Sequence, residues 1–347
     1  MSSLHTNSEG NHRNGGGRFG HDFFAVHRAT LRAVDVVLFC AFFCAGSATA
    51  QTSFLSGERL EWDPLEESSH ENRPAETWIR EPSSQPEPNS IPTEPWGWQI
   101  LPDGLIYPSY LAGPEEPRFA SVWNHDPDLG WMLDLEAGGR VALLRYGTEN
   151  LPRPDGWELD IEGAAFPRLD VDHDGDMIST DFRVGVPFTF ASGPWRMKLA
   201  LYHLSSHLGD EFMLRFPDIP RDNYSRNAIV LGGGYYLTED VFLYGEAEWA
   251  FYTDGYTQPW QFQLGLDYSP LRSASSPNGS PFLAFNGILR EEVDYGGSFV
   301  AQAGWQWRGR TNHLFRIGVQ YFTGKSDQHQ FSCRNEHKAG IGIWYDF

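Results

Sequence analysis

The chain has 347 residues and a formal net charge of -20, from 26 Lys and Arg against 46 Asp and Glu. That length can bury a core without disulfide or metal staples, and the acidity excludes a nucleic-acid binder, whose surface must meet phosphates with positive charge. Only one short stretch is continuously apolar, which excludes a helical membrane bundle. Yet the chain carries 13 Trp, 14 Tyr, 24 Phe and 36 Gly and is hydrophilic on average. Strands with one apolar and one polar face reconcile these facts.

The N-terminus comes first. Arg13, Arg18, Arg28 and Arg32 precede the apolar run from Val36 to Ala45, and Ala48-Thr49-Ala50 follows as a small-residue cleavage site. This pattern predicts a secretory signal peptide over 1–50, cut before Gln51; an uncleaved anchor is the alternative. Two of the 3 Cys lie in that segment, so Cys333 would remain alone, with no intrachain disulfide. Residues 51–95 are rich in Pro, Glu and Ser without periodicity, and predict a disordered acidic spacer. Residues 96–128 predict an ordered entry segment: a plug, a cap or a first docking strand.

From residue 129 to 347 the pattern has period two, the strand signature. Trp157, Leu159 and Ile161 alternate with Glu158, Asp160 and Glu162, and Trp260, Phe262, Leu264 and Leu266 with Gln261, Gln263 and Asp267. About twelve such segments follow one another. They run near 130–136, 140–147, 157–166, 179–190, 194–206, 225–237, 240–252, 259–269, 281–292, 296–308, 312–323 and 337–347. Most have about ten residues, the length of a tilted strand that crosses a bilayer. No segment reads as a helix.

The fold class predicted is all-β: an antiparallel transmembrane β-barrel of the outer-membrane type, with about twelve strands. Three features favour lipid over a soluble core on the apolar face. Aromatic residues gather near segment ends, as girdles do. Connections alternate, with short turns at 191–193, 238–239 and 309–311, and long polar loops at 167–178, 207–224 and 324–336. Only the connection at 270–280 is longer than this alternation predicts. Finally, Ala339, Ile341, Ile343, Tyr345 and Phe347 share one face, which resembles the C-terminal signal read by the barrel-assembly machinery. That machinery and outer-membrane lipid are the expected partners, and the outer membrane the expected location.

The stretch Trp98-Gln99-Ile100-Leu101-Pro102, with Tyr110-Leu111-Ala112 and Glu116-Pro117-Arg118-Phe119, resembles a bacterial domain-of-unknown-function family of secreted, barrel-like proteins. Asp181-Phe182-Arg183-Val184-Gly185-Val186-Pro187 and Tyr202-His203-Leu204-Ser205-Ser206-His207-Leu208-Gly209-Asp210-Glu211 do so too. The resemblance covers nearly all of 96–347. It implies an envelope location and brings no assigned activity.

The most pointed chemical signal is His203-Leu204-Ser205. Met197, Leu199 and Leu201 precede it on the same, lipid-facing side, and Asn227 stands with Ile229 and Leu231 on the corresponding face of the next segment. This arrangement resembles outer-membrane phospholipase A and, more distantly, lipid A deacylase. The resemblance implies Ser205 as nucleophile, His203 as base and Asn227 as the group that orients the imidazole. Those families follow the Ser with Asn-Gly; here Ser206-His207 follows. A polar strand end is the alternative reading, and His207, Asp210 and Glu211 are a further candidate cluster for a loop base or a metal.

A second signal is Asp170, Asp172, Asp174, Asp176 and Asp181, a D-x-D-x-D-G spacing with an acid at the twelfth position. It resembles EF-hand and dockerin-type calcium loops, against the alternative of a solvated turn. Calcium is the one cofactor the sequence suggests. The third signal is interior charge: Asp160, Glu162, Glu246, Glu248 and Asp267 against Arg183, Lys198, Arg308 and Arg316, expected to pair and fill a narrow lumen. Three functions remain open at this point: a structural or binding barrel, a lipid-facing serine acyl hydrolase, and a narrow channel.

Overall fold

The computed structural model describes residues 95–271 and 278–347. The signal peptide expected over 1–50 and all but the end of the spacer expected over 51–95 lie outside the described residues. The strands are β1 (Gly97–Ile100), β2 (Phe119–Asp126), β3 (Gly130–Gly147), β4 (Gly156–Asp170), β5 (Asp176–Ser192), β6 (Trp195–Leu208) and β7 (Ser225–Tyr236). They continue as β8 (Val241–Asp254), β9 (Trp260–Tyr268), β10 (Ser280–Arg290), β11 (Gly297–Arg308), β12 (Leu314–Lys325) and β13 (Asn335–Asp346). Each strand from β2 to β13 pairs antiparallel with its sequence neighbours, and β13 returns to β2 through pairs such as Ile341↔Trp123. The result is a closed antiparallel barrel of twelve strands, β2 to β13. Closure removes every edge that would leave backbone groups unpaired in lipid. Strand β1 pairs with the end of β3, Gly97↔Gly147 to Ile100↔Leu144, beyond the reach of β2.

The burial pattern is the reverse of a soluble sandwich. On β6 the apolar row Trp195, Met197, Leu199 and Leu201 is 51–58% exposed, whereas Arg196 is 1% exposed. Large apolar side chains cover the outside all round, while Arg118, Arg168, Arg226, Arg316 and Lys338 are fully buried. A contiguous apolar exterior of this extent suits hydrocarbon rather than water. Among the described residues no helix is long and apolar enough to cross a membrane; strands alone form the wall.

The barrel begins earlier than the sequence pattern suggests. Its first strand, β2, lies inside the predicted entry segment. Its outward row is Phe119, Ser121, Trp123 and His125, a mixture of apolar and polar residues that hides the period. The two segments expected at 130–136 and 140–147 are one strand, β3, which runs through Gly138-Gly139 without a turn. A Cβ at Gly138 would stand 2.2 Å from the Gly163 carbonyl oxygen, so glycine there permits close approach of β4. One short helix also forms where none was expected: α1 (Asp210–Arg215), in the long loop after β6.

The entry segment becomes an internal plug. Ile106, Tyr107, Tyr110, Leu111 and Ala112 are all buried. Irregular backbone inside a barrel needs partners for its N–H and C=O groups, and the wall supplies them with charged side chains. Ile106 N–H donates to Glu158 (2.9 Å) and Leu111 N–H to Asp267 (3.0 Å). Arg118 donates to the carbonyls of Tyr110, Leu111 and Gly113. Tyr110 stacks on Tyr244 at 3.6 Å and donates its hydroxyl to Glu246.

The rest of the lumen holds ion pairs. Arg183 meets Glu162 (2.7 Å), Arg226 meets Glu248 (2.6 Å), Arg316 meets Asp346 (2.7 Å), and Lys198 meets Glu246. Arg168 bridges Asp134 (2.6 Å), Asp327 (2.6 Å) and Glu336 (2.9 Å). Arg308 hydrogen-bonds Ser269 (2.6 Å) and Asn312, and lines a cavity with Arg153, Asp240 and Asp346. Cavities of about 40 and 60 Å³ flank the plug, room for a few waters each.

Candidate functional site

Strand β6 is straight and apolar on its outward face until Leu201; then His203, Ser205 and His207 take the next three outward positions. Neighbouring β7 presents Ser225 and Asn227 before its own apolar row, Ile229 and Leu231. Register brings the two polar stretches together, with His203↔Asn227 and Ser205↔Ser225 directly opposite. On the other side, β5 sets Val184 against His203 and Phe182 against Ser205. The outcome is a polar patch in an apolar surround on the outside of the barrel.

His203 Nδ1 lies 2.7 Å from Asn227 Oδ1. An amide oxygen only accepts, so Nδ1 is the donor, and in a neutral ring Nε2 is then the acceptor. This is the tautomer that a general base needs, fixed by a neighbour strand. Ser205 Oγ shares the face of His203, but its partner is His207, whose Nε2 stands 3.3 Å away. The structure therefore joins His203 to Asn227, and Ser205 to His207.

His207 was not expected in this group. The sequence Ser-Ser-His-Leu suggests a loop from 207 onward, whereas β6 continues to Leu208 and keeps His207 on the outward row. The loop begins at Gly209, where a Cβ would fall 1.8 Å from the Met177 carbonyl oxygen. Its N–H donates to Ile178 O at 2.9 Å, which pins the loop base beside the patch. The loop then carries α1 and a lip of exposed apolar residues: Leu214 at 84%, Phe216 at 43% and Ile219 at 41%. Asp210 and Glu211 lie in the first turn of α1, exposed, while the His207 ring bonds Ser205 instead.

The five aspartates of the second sequence signal do not gather around one point. Arg215 bridges Asp170 (2.8 Å) and Asp176, and His173 also contacts Asp170. Asp172 accepts the Trp131 N–H at 2.8 Å. Asp174 sits at a left-handed turn position, φ 56°. Asp181, the twelfth position, is fully buried on the inward face of β5 and accepts the His329 N–H at 3.0 Å. A guanidinium thus occupies the place between Asp170 and Asp176.

A family model described as "Protein of unknown function (DUF1207)" matches residues 85–347. No curated protein matches the chain. Among solved structures, the Salmonella typhi outer membrane phospholipase (OMPLA) dimer with bound calcium matches at TM-score 0.44 and 12% identity, covering 70% of this chain and 92% of that chain. Outer membrane phospholipase A from Escherichia coli matches at TM-score 0.43 and 12% identity, over 68% of this chain and 92% of that chain. The KdgM porin matches at TM-score 0.37 and 11% identity, over 66% and 99%.

Proposed function

The chain belongs to the DUF1207 family, whose function is unknown, and from that premise we propose that it acts on lipid from its outward face: a plugged outer-membrane barrel bearing a serine acyl hydrolase site. The observation that carries this reading is the 2.7 Å bond between His203 Nδ1 and Asn227 Oδ1 on an otherwise apolar wall. A polar trio on a lipid-facing strand is costly unless it serves the lipid itself. The substrate is then an ester-linked acyl chain already in the leaflet that surrounds these strands.

The chemistry follows from the side chains. His203 Nε2 takes the Ser205 proton as Oγ attacks the ester carbonyl. The tetrahedral intermediate collapses to an acyl-serine, and the protonated His203 returns its proton to the leaving alcohol. Water, deprotonated by the same nitrogen, releases the fatty acid. Asn227 holds the ring in one tautomer through both halves. The step requires the Ser205 hydroxyl to leave His207, its partner here, for His203 Nε2.

The filled lumen supports this reading over a channel. Planar-bilayer recording of the full chain is expected to be silent, and conductance steps that change with Glu246→Gln or Glu248→Gln would restore the channel. For the hydrolase, the full chain in detergent is incubated with phospholipid, with calcium or with chelator, and fatty acid is measured. Release that disappears in Ser205→Ala supports the proposal. Absence of release under both conditions, or equal release by the variant, leaves a structural or lipid-binding barrel.

A further inference from the structure

Away from the outward patch, three ligand-type side chains from distant parts of the chain meet inside the barrel. Glu115 comes from the plug, Asp181 from the inward face of β5, and His329 from the loop between β12 and β13. One ligand atom from each lies within 4.8 Å of the other two. Glu115 Oε1 is 3.1 Å from His329 Nε2. Asp181 is fully buried, and its Oδ1 has no hydrogen-bond partner among the described residues. We propose that Glu115, Asp181 and His329 form a binding site for a divalent transition-metal ion, of which Zn²⁺ is the best match, clamping the plug to the wall and to the loop after β12.

Charge and ligand chemistry both support it. Glu292 stands nearby, 3.9 Å from His329 Nδ1, so three carboxylates share this enclosed space. The adjacent cations are Arg290, 3.5 Å from Glu292, and Arg183, which donates to the Glu115 carbonyl at 3.3 Å but is paired with Glu162. A buried excess of negative charge is expensive unless a cation neutralises it. A proton on His329 would reach Glu115 and leave Asp181 Oδ1 orphaned; an ion among the three atoms would engage that oxygen as well. One imidazole nitrogen with two carboxylates is a borderline donor set, suited to Zn²⁺ and poorly suited to Ca²⁺, which takes oxygen ligands.

The ring is held for the task. Nε2 faces Glu115; metal binding there puts the ring proton on Nδ1, so Arg290 Nη1, now 3.3 Å from Nδ1 and 3.5 Å from Glu292, must turn wholly to Glu292. Tyr224 stacks on the imidazole at 4.6 Å and fixes its plane. The His329 carbonyl accepts the Tyr256 hydroxyl, which ties this part of the loop to the barrel mouth. Glu292, 3.9 Å from Nδ1, would close that gap to accept the Nδ1 proton once the metal holds Nε2, as carboxylates behind metal-bound histidines do.

The test uses the full chain in detergent, stripped with chelator and titrated calorimetrically with Zn²⁺, with Co²⁺ absorption as a second readout. One Zn²⁺ per chain is expected to bind and to raise the thermal midpoint. Binding at this stoichiometry should be lost in Glu115→Gln and in His329→Gln, and Glu292→Gln should weaken it by about 10–100-fold. The doubly substituted His203→Ala, His207→Ala protein should bind as the wild type does, which separates this site from the outward patch and from the hydrolase reading. If His329→Gln fails to fold, the isosteric change at partly exposed Glu115 decides the matter. No binding by the wild type, or binding that survives both Glu115→Gln and His329→Gln, overturns the proposal.

Discussion

Strand β6 carries polar residues on both of its faces, and the two rows are held in opposite ways. Inside, Lys198 meets Glu246 and contacts the rings of Tyr107 and Tyr110, while Arg196 donates to the carbonyls of Gly193 and Trp195. Outside, His203, Ser205 and His207 have one hydrogen-bond partner each, with His203 exposed and the other two half-buried. Interior charges are bound into networks because burial without partners would cost several kcal/mol per ion. The outward group has no packing task, since Leu at these positions would suit lipid better. Many partners mark a structural role; few partners on a costly exposed site are what the proposed hydrolase site requires.

The sharpest way to break this contrast is to remove one residue from each row. Ser205→Ala should lower fatty-acid release on the order of 10⁴-fold or more while leaving the barrel intact, checked by activity in detergent and by circular dichroism. Arg168→Met should do the reverse. Its three carboxylate partners, Asp134, Asp327 and Glu336, would lose one of the two cations they share and keep only Lys338. Breaking such a buried network should cost about 3–5 kcal/mol, read from denaturant unfolding followed by Trp fluorescence, with activity per folded molecule unchanged. If both substitutions cost stability and neither costs activity alone, the distinction between the rows fails.

Asn227→Ala probes the outward row more finely. It leaves nucleophile and base in place and removes only the acceptor of the Nδ1 proton. A fall of roughly 10²-fold in kcat with little change in KM is expected, the effect of a base released into the wrong tautomer. A larger effect of His207→Ala than of His203→Ala would show that the 3.3 Å contact to Ser205 is the working one.

The strand alternation was legible because lipid demands an apolar residue at every second position, and that demand shows in Trp157–Ile161 as in Trp260–Leu266. The His203–Asn227 pairing was legible for the same reason: once two strands have faces, their ends must meet. Strand β2 was hidden because Ser121 and His125 interrupt its outward row, and β3 because Gly138-Gly139 looks like a turn when it is a close contact with β4. His207 was hidden by a polar tetrapeptide that imitates a loop. The meeting of Glu115, Asp181 and His329 could not be read at all. It depends on the path of the plug through the lumen, which no local period records.

The loop after β12 allows the smallest test, on the acid side of the stability profile. Asp327 lies in this loop, outside the strands, and burial alone would favour its neutral form. The positive charges of Lys338 (2.7 Å) and Arg168 (2.6 Å) outweigh that effect and hold its carboxyl well below the usual range. A carboxyl whose folded pKa is depressed binds its proton more readily in the unfolded chain. Its contribution to stability is therefore fully present above about pH 4 and is lost as pH falls through the folded value. The wild type should lose denaturant resistance steadily below that pH, and Asp327→Asn should flatten this acid limb while lowering stability at neutral pH. The loss should be smaller than for Arg168→Met, because Lys338 and Arg168 keep Asp134 and Glu336 as partners. An acid limb that is equally steep in Asp327→Asn would show that the loop is not anchored through this carboxylate.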